Sequence, residues 1–172
     1  MSKRAAKELM EWIGVIVFAI LVSLLINHFL IVNATVPTQS MEPTIMAHNR
    51  IIGSRLSYIN EEPERGDIVI FRFPDNEKIL YIKRVIGMPG ETVEISDGRV
   101  LIDGVELEEP YLTVETEGNF GPYEVPEDHY FMMGDNRNNS ADSRYWDHTY
   151  LSRDKIVGKA LIRYWPPLAK LQ

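Results

Sequence analysis

The sequence predicts a mainly β protein in which a domain of short antiparallel strands follows a single N-terminal membrane-spanning helix. Three observations lead there. The 21 residues from Trp12 to Val32 contain no Asp, Glu, Lys or Arg. Beyond residue 35 the apolar residues fall into short β-branched runs divided by turn residues, with almost no helical periodicity. The chain has 172 residues, 45% hydrophobic and 25% charged, which suits one ordinary domain with a sizeable core.

The apolar run comes first. As a helix it rises about 1.5 Å per residue and so reaches roughly 30 Å, the thickness of a hydrocarbon core. Lys3, Arg4 and Lys7 precede it, and no Lys or Arg follows until Arg50. The positive-inside rule then divides the chain into a cytoplasmic segment 1–11, an anchor 12–32 and an extracytoplasmic β domain 33–172. A cleavable secretory signal is the competing reading, because Val32-Asn33-Ala34 offers small residues where a cleavage site would want them. The run exceeds the roughly 7 to 15 apolar residues of a signal peptide, which favours an uncleaved anchor.

Strands are predicted at Ile68–Phe71, Ile79–Ile86, Thr92–Ile95, Val100–Ile102, Tyr130–Met133 and Ile156–Tyr164. Ser96-Asp97-Gly98, Ile102-Asp103-Gly104 and Met88-Pro89-Gly90 mark tight turns between them. Residues 108–128, rich in Glu, Pro and Gly, read as an irregular excursion.

Several function classes drop out. With no cysteine there are no disulfides, thiolate metal sites or cysteine nucleophiles. A net charge of −7 argues against a nucleic-acid partner. The four histidines lack ligand-like spacing, and no phosphate-binding or dinucleotide-binding glycine motif is present, so neither a metal nor a cofactor is expected. Ser152-Arg153-Asp154-Lys155 fits S-x-x-K but lacks its companion motifs and reads as a solvated turn.

Three segments could carry chemistry. Ser40 lies between Pro37 and Pro43, on backbone that the two rings stiffen. Even fully extended, it stays within about 26 Å of the end of the span. A turn residue in a membrane-proximal linker has the same signature. In Leu80–Ile86, strand alternation puts Tyr81, Lys83 and Val85 on one face and Ile82, Arg84 and Ile86 on the other. Lys83 is then either a snorkelling surface lysine or a desolvated amine able to act as a general base. The polar stretch Gly134–Arg144 is either a solvated loop or a set of groups that orient others.

Together, four boxes resemble those of type I signal peptidases, in the same order. They are Ser40-Met41 with Pro43-Thr44; Gly66-Asp67-Ile68-Val69-Ile70-Phe71; Tyr81-Ile82-Lys83-Arg84-Val85-Ile86-Gly87 with Pro89-Gly90; and Gly134-Asp135-Asn136-Arg137 with Asn139-Ser140 and Asp142-Ser143-Arg144. The compact length with one span is most similar to the short Gram-positive forms. The resemblance implies a membrane-bound serine endopeptidase with a Ser-Lys dyad, on an antiparallel β fold shared with self-cleaving repressors. Ser40 would be the nucleophile and Lys83 the general base, made neutral by burial against Met132 or Met133. Ser140 would orient the lysine amine, and Asp142 and Arg144 would form a supporting ion pair. The Ser40 N–H and the Thr38 hydroxyl would serve the oxyanion; some members carry serine and others glycine at the position of Thr38. Asn138 stands where many members carry Asp.

Met41, Ile45, Tyr81 and Ile82 would line apolar pockets that admit only a small residue before the scissile bond. Substrates would be preproteins held in the same membrane lipid, docking as an added strand between Val36-Pro37-Thr38 and Tyr81-Ile82. Two other readings remain at this point. A self-cleaving regulator would carry a DNA-binding helix-turn-helix in place of the span. A membrane-anchored, inactive binding homologue would not need Ser40 and Lys83.

Overall fold

The computed structural model describes residues 3–171, so Met1 and Ser2 of the predicted N-terminal segment, and Gln172, lie outside the described residues. Helix α1 (Lys3–Phe29) opens the chain, and its stretch Met10–Phe29 is long and apolar enough to cross a membrane. None of that stretch is buried by the rest of the protein.

The helix stops three residues short of the predicted end of the span. Ile31 and Val32, β-branched and suited to extended backbone, begin β1 (Ile31–Thr35) instead. Strand β1 pairs antiparallel with β2 (Arg50–Ser54), Val32 opposite Gly53, and Val32 is buried in the domain core. The last residues of the apolar run therefore belong to the β domain.

A long hairpin follows, β3 (Ile68–Phe73) and β4 (Asn76–Gly87). Then come β5 (Thr92–Ser96), β6 (Arg99–Ile102), β7 (Val105–Glu106), β8 (Phe120–Glu124) and β9 (His129–Met133). The last three strands are β10 (Leu151–Ser152), β11 (Ile156–Trp165) and β12 (Ala169–Lys170). They build an eight-stranded sheet ordered β1-β2-β11-β3-β4-β9-β10, with β12 added to β11, and a four-stranded sheet ordered β7-β6-β5-β8. All six predicted strands are present. The two Asp-Gly turns hold consecutive left-handed residues, Asp97 with Gly98 and Asp103 with Gly104, which is the twist a two-residue hairpin needs.

Residues 108–128 are not wholly irregular, since β8 lies inside them and pairs with β5. Its Gly121-Pro122 hides it from pattern reading, and the proline is tolerated because β8 is an edge strand.

Strand β3 is apolar at every position from Ile68 to Phe71 because both of its faces are covered. On one side Ile68, Ile70 and Ile82 pack with Val36, Met41, Ile45 and Ile51. On the other, Val69, Phe71 and Val85 pack with Met132, Trp146 and Leu151. A third cluster, including Ile86, Phe131 and Met133 of the large sheet, joins it to Val93, Ile95 and Val100 of the small one.

Candidate active site

Ser40 sits in a tight turn between β1 and β2. The Glu42 N–H donates to the Gln39 carbonyl at 3.0 Å and the Ile45 N–H to that of Met41 at 2.8 Å, closing the turn. Met41 and Ile45 are fully buried and fasten it to the core. Both were expected to line the substrate pocket. That expectation is corrected: with no exposed surface they cannot touch a peptide, and they anchor the turn beneath Ser40.

Lys83 comes from the middle of β4, opposite Val69 and next to Val85 on a face packed by Met132. It is 4% exposed, so it is not a snorkelling surface lysine. Its Nζ donates to Ser40 Oγ at 2.6 Å and to the Ile82 carbonyl at 3.1 Å. Burial pushes the amine down to about 8, against the opposing pull of the Asp142 and Asp135 carboxylates. The cation next to it in the strand is buried as well. Arg84 turns to the opposite face and holds Asp135 through two bonds, at 2.9 and 2.7 Å.

The stretch Gly134–Arg144 is a set of orienting groups rather than a solvated loop. Asp142 takes two bonds from the Arg144 guanidinium, at 2.8 and 2.9 Å, and one from the Gly134 N–H at 3.0 Å. Arg144 also reaches the Arg137 carbonyl at 2.6 Å, and Arg137 pairs with Glu109, one Nη1–Oε2 contact being 2.7 Å. Asn138 holds the 115–117 segment, accepting from the Glu117 N–H and donating to the Glu115 carbonyl.

Ser140 departs from the role the resemblance implied. It is buried, but its Oγ has no hydrogen-bond partner among the described residues. The lysine donates to Ser40 and the Ile82 carbonyl instead, while Ser140 Oγ packs so closely on Gly134 that a Cβ there would lie 2.3 Å from it.

The Thr38 hydroxyl stands 3.3 Å from Ser40 Oγ, and no group among the described residues accepts the Ser40 N–H. Ser40 and Lys83 open into a groove of about 420 Å3. One wall is Val36 to Ser40, the other Ile79 to Lys83, with Asn139 and Ala141 at the side. Tyr81 and Ile82 are among its lining residues. Ile79 and Leu80, half exposed, were missed, although continuing the alternation of β4 outward would have found them. Glu109 was missed too, because nothing in its own segment points to Arg137.

A larger hollow of about 910 Å3 is lined among others by Ser57, Tyr58, Asp67, Tyr111 and Lys159, and among the described residues no hydrogen bond joins its serine to a lysine. Asp67 there is occupied by Lys159 at 2.6 Å and the Tyr58 hydroxyl at 2.8 Å. Among the described residues no group of three or more His, Asp or Glu side chains is arranged to hold a metal ion.

The family profile described as signal peptidase, peptidase S26, matches residues 9–165. Signal peptidase I of Leptolyngbya laminosa is 41% identical over 170 residues, covering 95% of this chain and 83% of that protein. Signal peptidase I T of Bacillus subtilis strain 168 is 40% identical over 176 residues, covering 96% of this chain and 90% of the relative. The crystal structure of a signal peptidase I from Enterococcus faecalis V583 superposes with a TM-score of 0.50 at 36% identity, over 58% of this chain and 97% of that one. Matches of this extent run through both the turn of Ser40 and the strand of Lys83, and the chain belongs to the signal peptidase family, peptidase S26, and is a serine peptidase.

Proposed function

We propose that this chain is a membrane-anchored endopeptidase that removes N-terminal signal peptides from preproteins, with Ser40 as nucleophile and Lys83 as general base. The observation that carries the proposal is the 2.6 Å contact between Ser40 Oγ and a buried lysine at the floor of a groove. A serine hydroxyl attacks only when a base takes its proton, and a lysine can do so only while neutral. Burial supplies that condition here.

In the acylation step neutral Lys83 accepts the Ser40 proton as Oγ bonds to the scissile carbonyl carbon. The Ser40 N–H and the Thr38 hydroxyl hold the oxyanion. The ammonium so formed then protonates the leaving amine, which releases the mature protein. Lys83 next takes a proton from water, whose oxygen attacks the acyl-serine; as the bond to Oγ breaks, the ammonium returns that proton to Ser40 Oγ, and the signal peptide leaves with a new carboxylate. Asp142 and Arg144 keep the loop beside the dyad in shape. Ser140 packs against Gly134 in the same loop.

The substrate lies extended in the groove, adding a strand between Val36-Pro37-Thr38 and Tyr81-Ile82. Val36 and Ile82 line the groove beside Ser40 and Lys83, and a small side chain before the scissile bond would lie against them. Helix α1 holds the enzyme in the bilayer that holds its substrates, with residues 1–11 cytoplasmic and the β domain outside. The test is preprotein cleavage by detergent-solubilised Ser40→Ala and Lys83→Ala. Both should be inactive and folded, and the double variant no worse than either alone. Near-normal turnover by Lys83→Ala would remove the dyad.

A further inference from the structure

We infer that Asn136 is a positioning residue for the same reaction: it clamps the Gln39–Ser40 peptide so that the Ser40 N–H faces the oxyanion. Its side-chain Nδ2 donates to the Gln39 carbonyl at 3.1 Å, and its backbone N–H donates to the Ser40 carbonyl, also at 3.1 Å. These bonds bracket the one peptide unit that ends in the Ser40 N–H. That unit is planar and trans, so its carbonyl and its N–H point in opposite directions, and fixing one aims the other. The Gln39 carbonyl receives a second donor, the Glu42 N–H of the turn itself. Two donors on a carbonyl draw charge through the amide and make its N–H a stronger donor.

The clamp is rigid because both neighbours of Asn136 are buried and ion-paired. Asp135 is held by Arg84 and Arg137 by Glu109. The same loop backbone closes on that carbonyl a second time, since a Cβ on Gly134 would lie 2.3 Å from the Ser40 carbonyl oxygen. Asn136 itself touches neither Lys83 nor the reacting atoms, so it acts through the peptide.

This inference rests on Ser40 being the nucleophile, and the experiment separates the two. Full-length Asn136→Ala and the near-isosteric Asn136→Leu are assayed on a preprotein in detergent, beside wild type and Ser40→Ala. A misaimed oxyanion donor lowers kcat by about tenfold to a hundredfold, somewhat less than outright removal of a donor. KM should stay within about twofold, and the midpoint of the pH profile should not move, because Lys83 is untouched. A merely structural residue would alter KM, the midpoint or the thermal transition along with kcat, and that pattern overturns the inference. So does a folded variant with kcat within about twofold of wild type. Should Asn136→Ala fail to fold, Asn136→Leu decides by the same criteria. Cleavage by Ser40→Ala would overturn the dyad reading and this inference with it, whereas an inactive Ser40→Ala beside unimpaired Asn136 variants overturns the clamp alone.

Discussion

An ammonium group beside Val69, Val85 and Met132 is costly to keep charged, and its cost depends on pH. Folded, Lys83 titrates near 8, whereas an unfolded lysine titrates near about 10.4. Between those values the folded chain binds fewer protons than the unfolded one, so stability rises with pH across that window. Below about 8 the penalty is fully present. Lys83→Met should therefore be inactive yet more stable at pH 7, by about 1 to 3 kcal/mol, and this is read from the unfolding transition in detergent. A variant no more stable than wild type would contradict the burial argument. Neither Ser40 nor Lys83 was legible in its own segment, because Ser40 has the signature of a linker turn and Leu80–Ile86 carries one cation on each face. What made them legible was the four boxes taken in order. The idle hydroxyl of Ser140 had no sequence signal at all, since it depends on how closely two loops approach.

The turn 36–45 and strand β4 show how elements divide the labour at the groove. Met41 and Ile45 follow Ser40 in sequence, which made them candidates for touching substrate, but the turn points them into the core while Ile79 to Ile82 face the groove. Met41→Ala should accordingly destabilise the protein by about 2 to 5 kcal/mol, the range for emptying a packed site, with no change in the residue preferred at the cleavage position. A changed cleavage preference at unaltered stability would return Met41 to the substrate site. Runs such as Ile68–Phe71 were legible as strands because two-sided burial needs an unbroken apolar sequence. Strands β7, β10 and β12 are two residues each, too short for any period, and β8 is masked by its proline. Strand β1 was missed for another reason: its apolar residues join those of α1 in one uninterrupted run, and only the partner strand β2 shows where the bilayer segment gives way to the sheet.

At the scale of the whole molecule, α1 and the groove are joined through β1 with no flexible linker between helix and sheet. A soluble form should thus begin at Ile31, because a cut after Ala34 would remove most of an edge strand and the buried Val32. Such a form should cleave a short soluble peptide nearly as fast as the full chain. On preproteins held in liposomes it should lose at least about tenfold more, since only there does shared confinement raise the effective concentration. Equal rates on liposomes would make the helix an address only. The central claim, a serine activated by a lysine that the assembled fold keeps near neutrality, also belongs to the whole chain, because the turn of Ser40, strand β4 and the loop of Asp142 must all be in place for it. Its most direct test is kcat/KM of the full-length enzyme on a preprotein measured against pH. The account predicts a single ionisation, with the rate rising to a plateau around a midpoint near 8, and no activity at any pH for Lys83→Arg. A flat profile, or an active Lys83→Arg enzyme, would contradict it.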